Sequence, residues 1–294
     1  MALAWTWAAG RAVGQELPAG VAVGLFLFVW SIYLADRLID VARCPDWGAV
    51  PERLRFGRRY RTWFRGALWM SLAGTAWLAV GLPGEILLRV AITAPGVLIY
   101  FALFVQPVFG RKLLGKEFAI GFFCTLPIWV AYGWLREFSV LLPFYAGLIS
   151  CNCLVIASRE QDLDRRVDPG AATAWWPSLD RDVTRLLLVL LALLAAMALA
   201  RSLPGYDDGT RVFLGAQGIS AVALLVLHTR AMQLSAERVR SLADLCLLVP
   251  VLLFSQPGQP STKHLRNHAC WFDTGKAEVQ PLAAEGEALV VNSE

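Results

Sequence analysis

The chain has 294 residues, of which 57% are hydrophobic and 17% are charged, and its mean hydropathy is +0.53. These shares lie outside those of soluble globular domains, so the composition indicates an integral membrane protein and excludes a soluble enzyme. The net charge of +4 does not imply a nucleic-acid partner, because the arginines fall in short segments between apolar runs, where they set membrane topology.

The first 17 residues contain Trp5, Trp7 and Arg11. A spanning helix needs about 20 mainly apolar residues, so this segment is too short and too interrupted to cross a membrane. We therefore predict that residues 1–17 form an interfacial or partial first helix.

Eight apolar runs follow and are predicted to cross the membrane: 18–35, 63–82, 86–108, 118–135, 138–158, 184–203, 212–229 and 242–254. Backbone polar groups at membrane depth must be satisfied within helices. We therefore predict an all-α, polytopic bundle of eight to nine transmembrane helices, formed by residues 18–255. The polar segment 256–294 has a composition typical of disorder. Asp244, near the start of the last run, is interpreted as a charge at a helix N-terminus.

Two acidic pairs follow apolar runs. Asp36 and Asp40 come directly after the first run, and Asp164 and Asp168 come after the fifth. Side chains four residues apart share one face of a helix. Either pair alone is explained as helix-end charges beside arginines, whereas two pairs after spans separated by an even number of crossings suggest one site.

A basic segment with Arg111, Lys112 and Lys116 lies between the two pairs. Arginine-rich loops alternate with loops poor in arginine, and the positive-inside rule places both pairs and this segment in the cytoplasm. We therefore expect a protein of the cytoplasmic (inner) membrane with its site on the cytoplasmic side.

Four carboxylates beside several cations suit a diphosphate bound through Mg²⁺. This ion is typically held by one or two carboxylates together with substrate phosphate oxygens, and Lys and Arg can take the remaining charge. Such a site stabilises a departing pyrophosphate, which predicts prenyl transfer from a prenyl diphosphate.

The acidic pairs resemble those of the UbiA-type intramembrane prenyltransferases. That family carries N-D-x-x-D-x-x-x-D on its second helix and D-x-x-D-x-x-x-D on its sixth, and the two pairs match the ends of these motifs, four spans apart. The basic segment is similar to an element that the family places between its motifs. Asn152 lies where many members have an asparagine.

The resemblance implies roles for individual residues. Mg²⁺ and the diphosphate would be bound at the catalytic residues Asp36, Asp40, Asp164 and Asp168. The other substrate-binding residues would be Tyr33, Arg111, Lys112, Lys116 and Asn152. The implied activity is Mg²⁺-dependent transfer of a prenyl group to a lipid-soluble acceptor, aromatic acceptors included, within membrane lipids.

Two alternatives remain open. Ile32 and Tyr33 stand where the family has its leading Asn-Asp, and Gln161 stands where the second motif begins with Asp. These differences suggest a non-catalytic, UbiA-like lipid-binding protein. A membrane transporter would use the acids to carry protons or cations, but the sequence shows no row of acids across the bilayer and no clear inverted repeat.

Overall fold

A computed structural model of the protein describes residues 1–43, 52–105, 115–133, 136–161, 172–200 and 208–254. All regular structure within these ranges is helical, which confirms the predicted all-α class. The chain divides into two units, Met1–Gln259 and Pro260–Glu294. The second unit, which contains most of the predicted polar tail, lies outside the described residues.

In chain order, the helices of the described ranges are α1 (Ala2–Ala12), α2 (Ala19–Arg43), α3 (Glu52–Arg59), α4 (Arg61–Val80), α5 (Gly84–Val105), α6 (Lys116–Phe123), α7 (Leu126–Tyr132), α8 (Arg136–Arg159), α9 (Ala172–Trp175), α10 (Leu179–Ala200), α11 (Asp208–Arg230), α12 (Ala236–Cys246) and α13 (Val249–Phe254). A 3₁₀ turn, Ala231–Gln233, follows α11 directly.

Four helical segments in the described part of the chain are long and apolar enough to cross a membrane. They are Ala19–Ala42, Leu141–Arg159, Leu179–Ala200 and Gly209–Gln233, in α2, α8, α10 and α11. These segments correspond to the first, fifth, sixth and seventh predicted runs. The fold is thus consistent with an integral membrane protein.

Two of the predicted runs are not continuous helices. The run 118–135 contains α6 and α7, which are separated at Cys124 and Thr125. Pro127 lies in the first turn of α7, where its missing N–H removes no helical hydrogen bond. The run 242–254 is divided in the same way between α12 and α13. The prediction of one unbroken helix in each run is therefore wrong.

Helix α1 lies inside the bundle. Trp5 is fully buried, and its ring packs against Tyr145 of α8 and Phe213 of α11 at centroid distances of 4.9 and 5.4 Å. An interfacial helix keeps one face toward the membrane surface, whereas α1 is enclosed by α7, α11 and α13. The structure thus corrects the interfacial placement expected for residues 1–17.

The main core lies between α1, α8, α10, α11 and α12. Its largest fully buried side chains include Trp5, Tyr145, Phe213, Leu148 and Leu187. Helices α2, α4 and α5 form the other side of the bundle, where α2 packs along α4. Many large apolar side chains of α4 are exposed, as expected for a surface that faces lipid.

Gly121 brings α6 close to α8. A Cβ atom at this position would lie 2.1 Å from Ser150 Oγ and 2.4 Å from the Ala146 carbonyl oxygen. These distances are too short for any side chain, so the two helices would have to separate. Gly121 therefore sets the position of α6 and of the charged residues at its start.

We predict that Gly121→Ala lowers stability by about 1–3 kcal/mol, the usual cost of overpacking a closely packed contact. Thermal unfolding of the purified protein in detergent would measure the change. Gly66→Ala in α4 is the matched control, because a Cβ atom there meets no atom within 4 Å. Equal melting temperatures for the two variants would contradict the tight contact between α6 and α8.

Candidate functional site

The first acidic pair lies on a continuous helix, as the sequence predicts. Helix α2 extends to Arg43, so Asp36 and Asp40 fall in its last two turns. Arg37 Nη1 donates to Asp40 Oδ2 at 3.3 Å. Both carboxylates are partly buried, with side-chain exposures of 31% and 29%. Asp36 and Asp40 are therefore covered enough for a nearby charge to act with little screening.

Lys116 is the first residue of α6 and lies beside the acidic pair. Its Nζ atom is 3.8 Å from Asp36 Oδ1, although the two residues are 80 positions apart in the chain. The structure thus brings together three predicted site residues, Asp36, Asp40 and Lys116. Four other predicted residues lie outside the described part of the chain: Arg111, Lys112, Asp164 and Asp168.

An apolar cavity of about 190 Å³ opens between α2, α4, α5, α6 and α7. Its polar described lining residues are Thr75, Thr93, Tyr100 and Cys124, and all the others are apolar. The absence of charge among these residues suits a hydrocarbon chain rather than a polar ligand.

The acidic pair continues the cavity-lining faces of two helices. On α2 the lining includes Phe28 and Ile32, and Asp36 follows one turn later. On α6 the lining includes Ile120, and Lys116 precedes it by one turn. Because residues four apart share a helix face, the Asp36–Lys116 pair lies at one end of the cavity.

Tyr33 lies on a different face of α2. Its side chain is 44% exposed, its ring stacks on Trp30 at 5.3 Å, and the Arg37 guanidinium lies 5.2 Å from its centroid. Tyr33 is not part of the cavity lining, whereas its neighbour Ile32 is. A role for Tyr33 in binding substrate therefore stays a prediction that the cavity does not support.

Asn152 belongs to a second polar cluster, between α8 and α12. Its side chain is buried and is hydrogen-bonded to the Asp244 carboxylate. One turn away on α12, Arg240 forms an ion pair with the buried Glu160. Asp244 lies in the last turn of α12, so its interpretation as an N-terminal helix charge is wrong.

Glu117 was not predicted, and it connects α6 to α9. Both of its carboxylate oxygens accept from the Ala172 backbone N–H, at 3.0 and 3.2 Å, and the residue is buried. The contact satisfies one of the unpaired N–H groups at the start of α9. An acid in the first turn of a helix is visible in the sequence, but its partner 55 residues away is not.

The donor groups of the site match part of what magnesium requires. Within the described ranges, no three His, Cys, Asp or Glu side chains are grouped as they would be in a metal site. Asp36 and Asp40 nevertheless supply two carboxylates on one helix face, and a diphosphate can provide further oxygen ligands. The described residues therefore fit one side of a site shared between protein and substrate.

Comparisons with protein-family models, curated proteins and solved structures find no match to this chain. The resemblance to the UbiA-type family therefore remains a prediction that rests on the motif residues. The function has to be argued from the geometry.

We predict that Glu117→Ala destabilises the protein by about 1–3 kcal/mol, because it leaves the buried Ala172 N–H without its acceptor. Glu117→Gln retains a side-chain oxygen that can accept this hydrogen bond, and it should cost less. Hydrogen exchange measured by mass spectrometry on a peptide containing Ala172 would report the contact directly. The exposed Glu237→Ala on α12 is the control, and unchanged exchange in Glu117→Ala would refute the contact.

Proposed function

We propose that the protein transfers a prenyl group from a prenyl diphosphate to a lipid-soluble acceptor, with Mg²⁺ as cofactor. The supporting observation is the apolar cavity with Asp36 and Lys116 at one end. A prenyl diphosphate has the matching form, a long hydrocarbon chain with a highly charged head.

The cavity lining extends along α2 from Val21 to Ile32, which is about 16 Å of helix. Aromatic rings also contribute to it, and those of Tyr100 and Phe123 are in edge contact at 5.0 Å. Aromatic faces attract cations, so these rings are suited to an allylic cation as well as to the uncharged chain.

The charged residues would act on the diphosphate. Bound magnesium would neutralise the negative charge of the leaving group, and Asp36 and Asp40 are the described residues that would hold it. Lys116 would exchange its contact with Asp36 for a diphosphate oxygen. We assign further ligand roles to Asp164 and Asp168, and further phosphate contacts to Arg111 and Lys112, from the sequence motifs alone.

The proposed reaction balances in bonds and charge. The allylic C–O bond breaks, and both bonding electrons leave with the diphosphate. The acceptor forms a bond to the allylic carbon and loses a proton. Exclusion of water by the apolar lining would keep the cation from being hydrolysed before the acceptor attacks.

The same proposal includes a topology of eight to nine crossings in the cytoplasmic (inner) membrane, with the site on the cytoplasmic side. Besides the four apolar segments, α4 and α5 would cross, and the broken pairs α6–α7 and α12–α13 would each cross once. Exposed Trp63 and Trp77 support this for α4, because they lie about 21 Å apart along the helix and suit the two membrane interfaces.

We expect the purified protein to release pyrophosphate from at least one prenyl diphosphate when Mg²⁺ is present, and to stop when the ion is chelated. Asp36→Asn should lower the rate at least about 100-fold, because it removes charge from the residue nearest Lys116. Asp180→Asn, at a carboxylate that is 63% exposed on α10, is the matched control and should retain activity.

The outcomes of this assay separate the alternatives. Failure to release pyrophosphate at any prenyl chain length, from protein that is folded, would contradict the transferase. Tight binding of a prenyl diphosphate without turnover would instead indicate the non-catalytic lipid-binding protein. A substrate flux that is indifferent to magnesium would indicate a transporter.

We predict that Gly24→Phe shifts substrate preference toward shorter prenyl chains. Gly24 lines the cavity, and a Cβ atom there meets nothing within 4 Å, so a ring would occupy open space. Gly20→Phe, one turn earlier on α2, is the control, because that position is equally open but does not line the cavity. Relative kcat/KM values for a series of chain lengths would test this. The same preference in both variants would show that the chain binds elsewhere.

A further inference from the structure

Helix α3 packs against the end of α2. Leu54 is buried, and a Cβ atom on Gly57 would lie 2.8 Å from Val41 Cγ2. Val41 is the penultimate residue of the membrane-crossing segment Ala19–Ala42. The inner edge of α3 is therefore held where α2 leaves the membrane.

The outer side of α3 is strongly basic. Arg55, Arg58 and Arg59 are exposed on α3, and Arg61 and Arg65 are exposed at the start of α4. We call these five residues the arginine surface. Two exposed aromatic side chains lie among them in the sequence, Phe56 at 54% and Trp63 at 78% exposure.

We propose that the arginine surface binds the phosphate headgroups of anionic phospholipids in the leaflet where α2 ends. Basic clusters next to membrane helices attract anionic lipids, and guanidinium groups form paired hydrogen bonds with phosphate oxygens. Phe56 and Trp63 supply the apolar part of such a site, since aromatic rings beside basic residues insert at the boundary between headgroups and acyl chains. This inference does not depend on the proposed transferase activity.

A role in topology alone, a second copy of the chain or a soluble phosphate would each use only part of the arginine surface. Arginines that only set topology require neither an ordered helix nor exposed aromatic rings beside them. The same surface of a second copy would bring like charges together, which opposes association. A soluble phosphate would leave Phe56 and Trp63 without a partner. The lipid is therefore the occupant that uses both the charge and the rings.

Native mass spectrometry of the full chain in detergent would test the proposal. Phosphatidylglycerol should bind in preference to phosphatidylcholine with the same acyl chains. The triple variant R55Q/R58Q/R59Q should lose affinity for phosphatidylglycerol on the order of 100-fold, at about fivefold per charge. Its binding of phosphatidylcholine and its melting temperature should not change.

The matched control R181Q/R230Q/R238Q removes three exposed arginines from α10, α11 and α12. These arginines lie in segments predicted for the same side of the membrane, and the control variant should keep its preference for phosphatidylglycerol. Equal loss in both variants, or equal binding of the two lipids to the native protein, would overturn the proposal. Competition by soluble glycerol phosphate at the same concentration would assign the surface to free phosphates. Dissociation of an oligomer in the triple variant would assign it to a second copy.

Discussion

The position of α6 against α8 is the constraint on which the candidate site depends. With no side chain at Gly121, α6 approaches the Ala146 carbonyl oxygen more closely than any other residue would allow. The first turn of α6 then carries Lys116 to Asp36 on one side and Glu117 to the Ala172 amide on the other. A shift of α6 would change both contacts, so packing at one glycine determines the geometry of the charges.

The Asp36–Lys116 pair is better understood as positioning than as stabilisation. Exposed ion pairs contribute about 0–1 kcal/mol, and a 3.8 Å separation between partly exposed groups does not imply more. A weak pair has a functional advantage, because Lys116 can leave Asp36 for a phosphate oxygen at little cost. The carboxylate that is released would then be available to a divalent cation.

The sequence predicted what depends on local pattern and missed what depends on distant contacts. The apolar run before Asp36 and the i, i+4 spacing correctly placed both aspartates on one helix. The division between α6 and α7 was missed because the run 118–135 is apolar on both sides of Cys124 and Thr125. The burial of α1 was missed for a different reason: a short segment with two tryptophans resembles an interfacial helix until the chain around it is known.

The two sides of the bundle differ in how they fill space. Around Trp5, Tyr145 and Phe213 the interior is closed by interlocking rings, and this side holds most of the buried apolar residues. Beside the cavity the buried cluster is small, comprising Val21, Leu25, Ile86 and Val130. Unfilled volume costs stability because the lining atoms lose dispersion contacts. Since the larger core is separate from the cavity, the protein can keep that empty volume without losing packing in the side that contributes most of the buried apolar area.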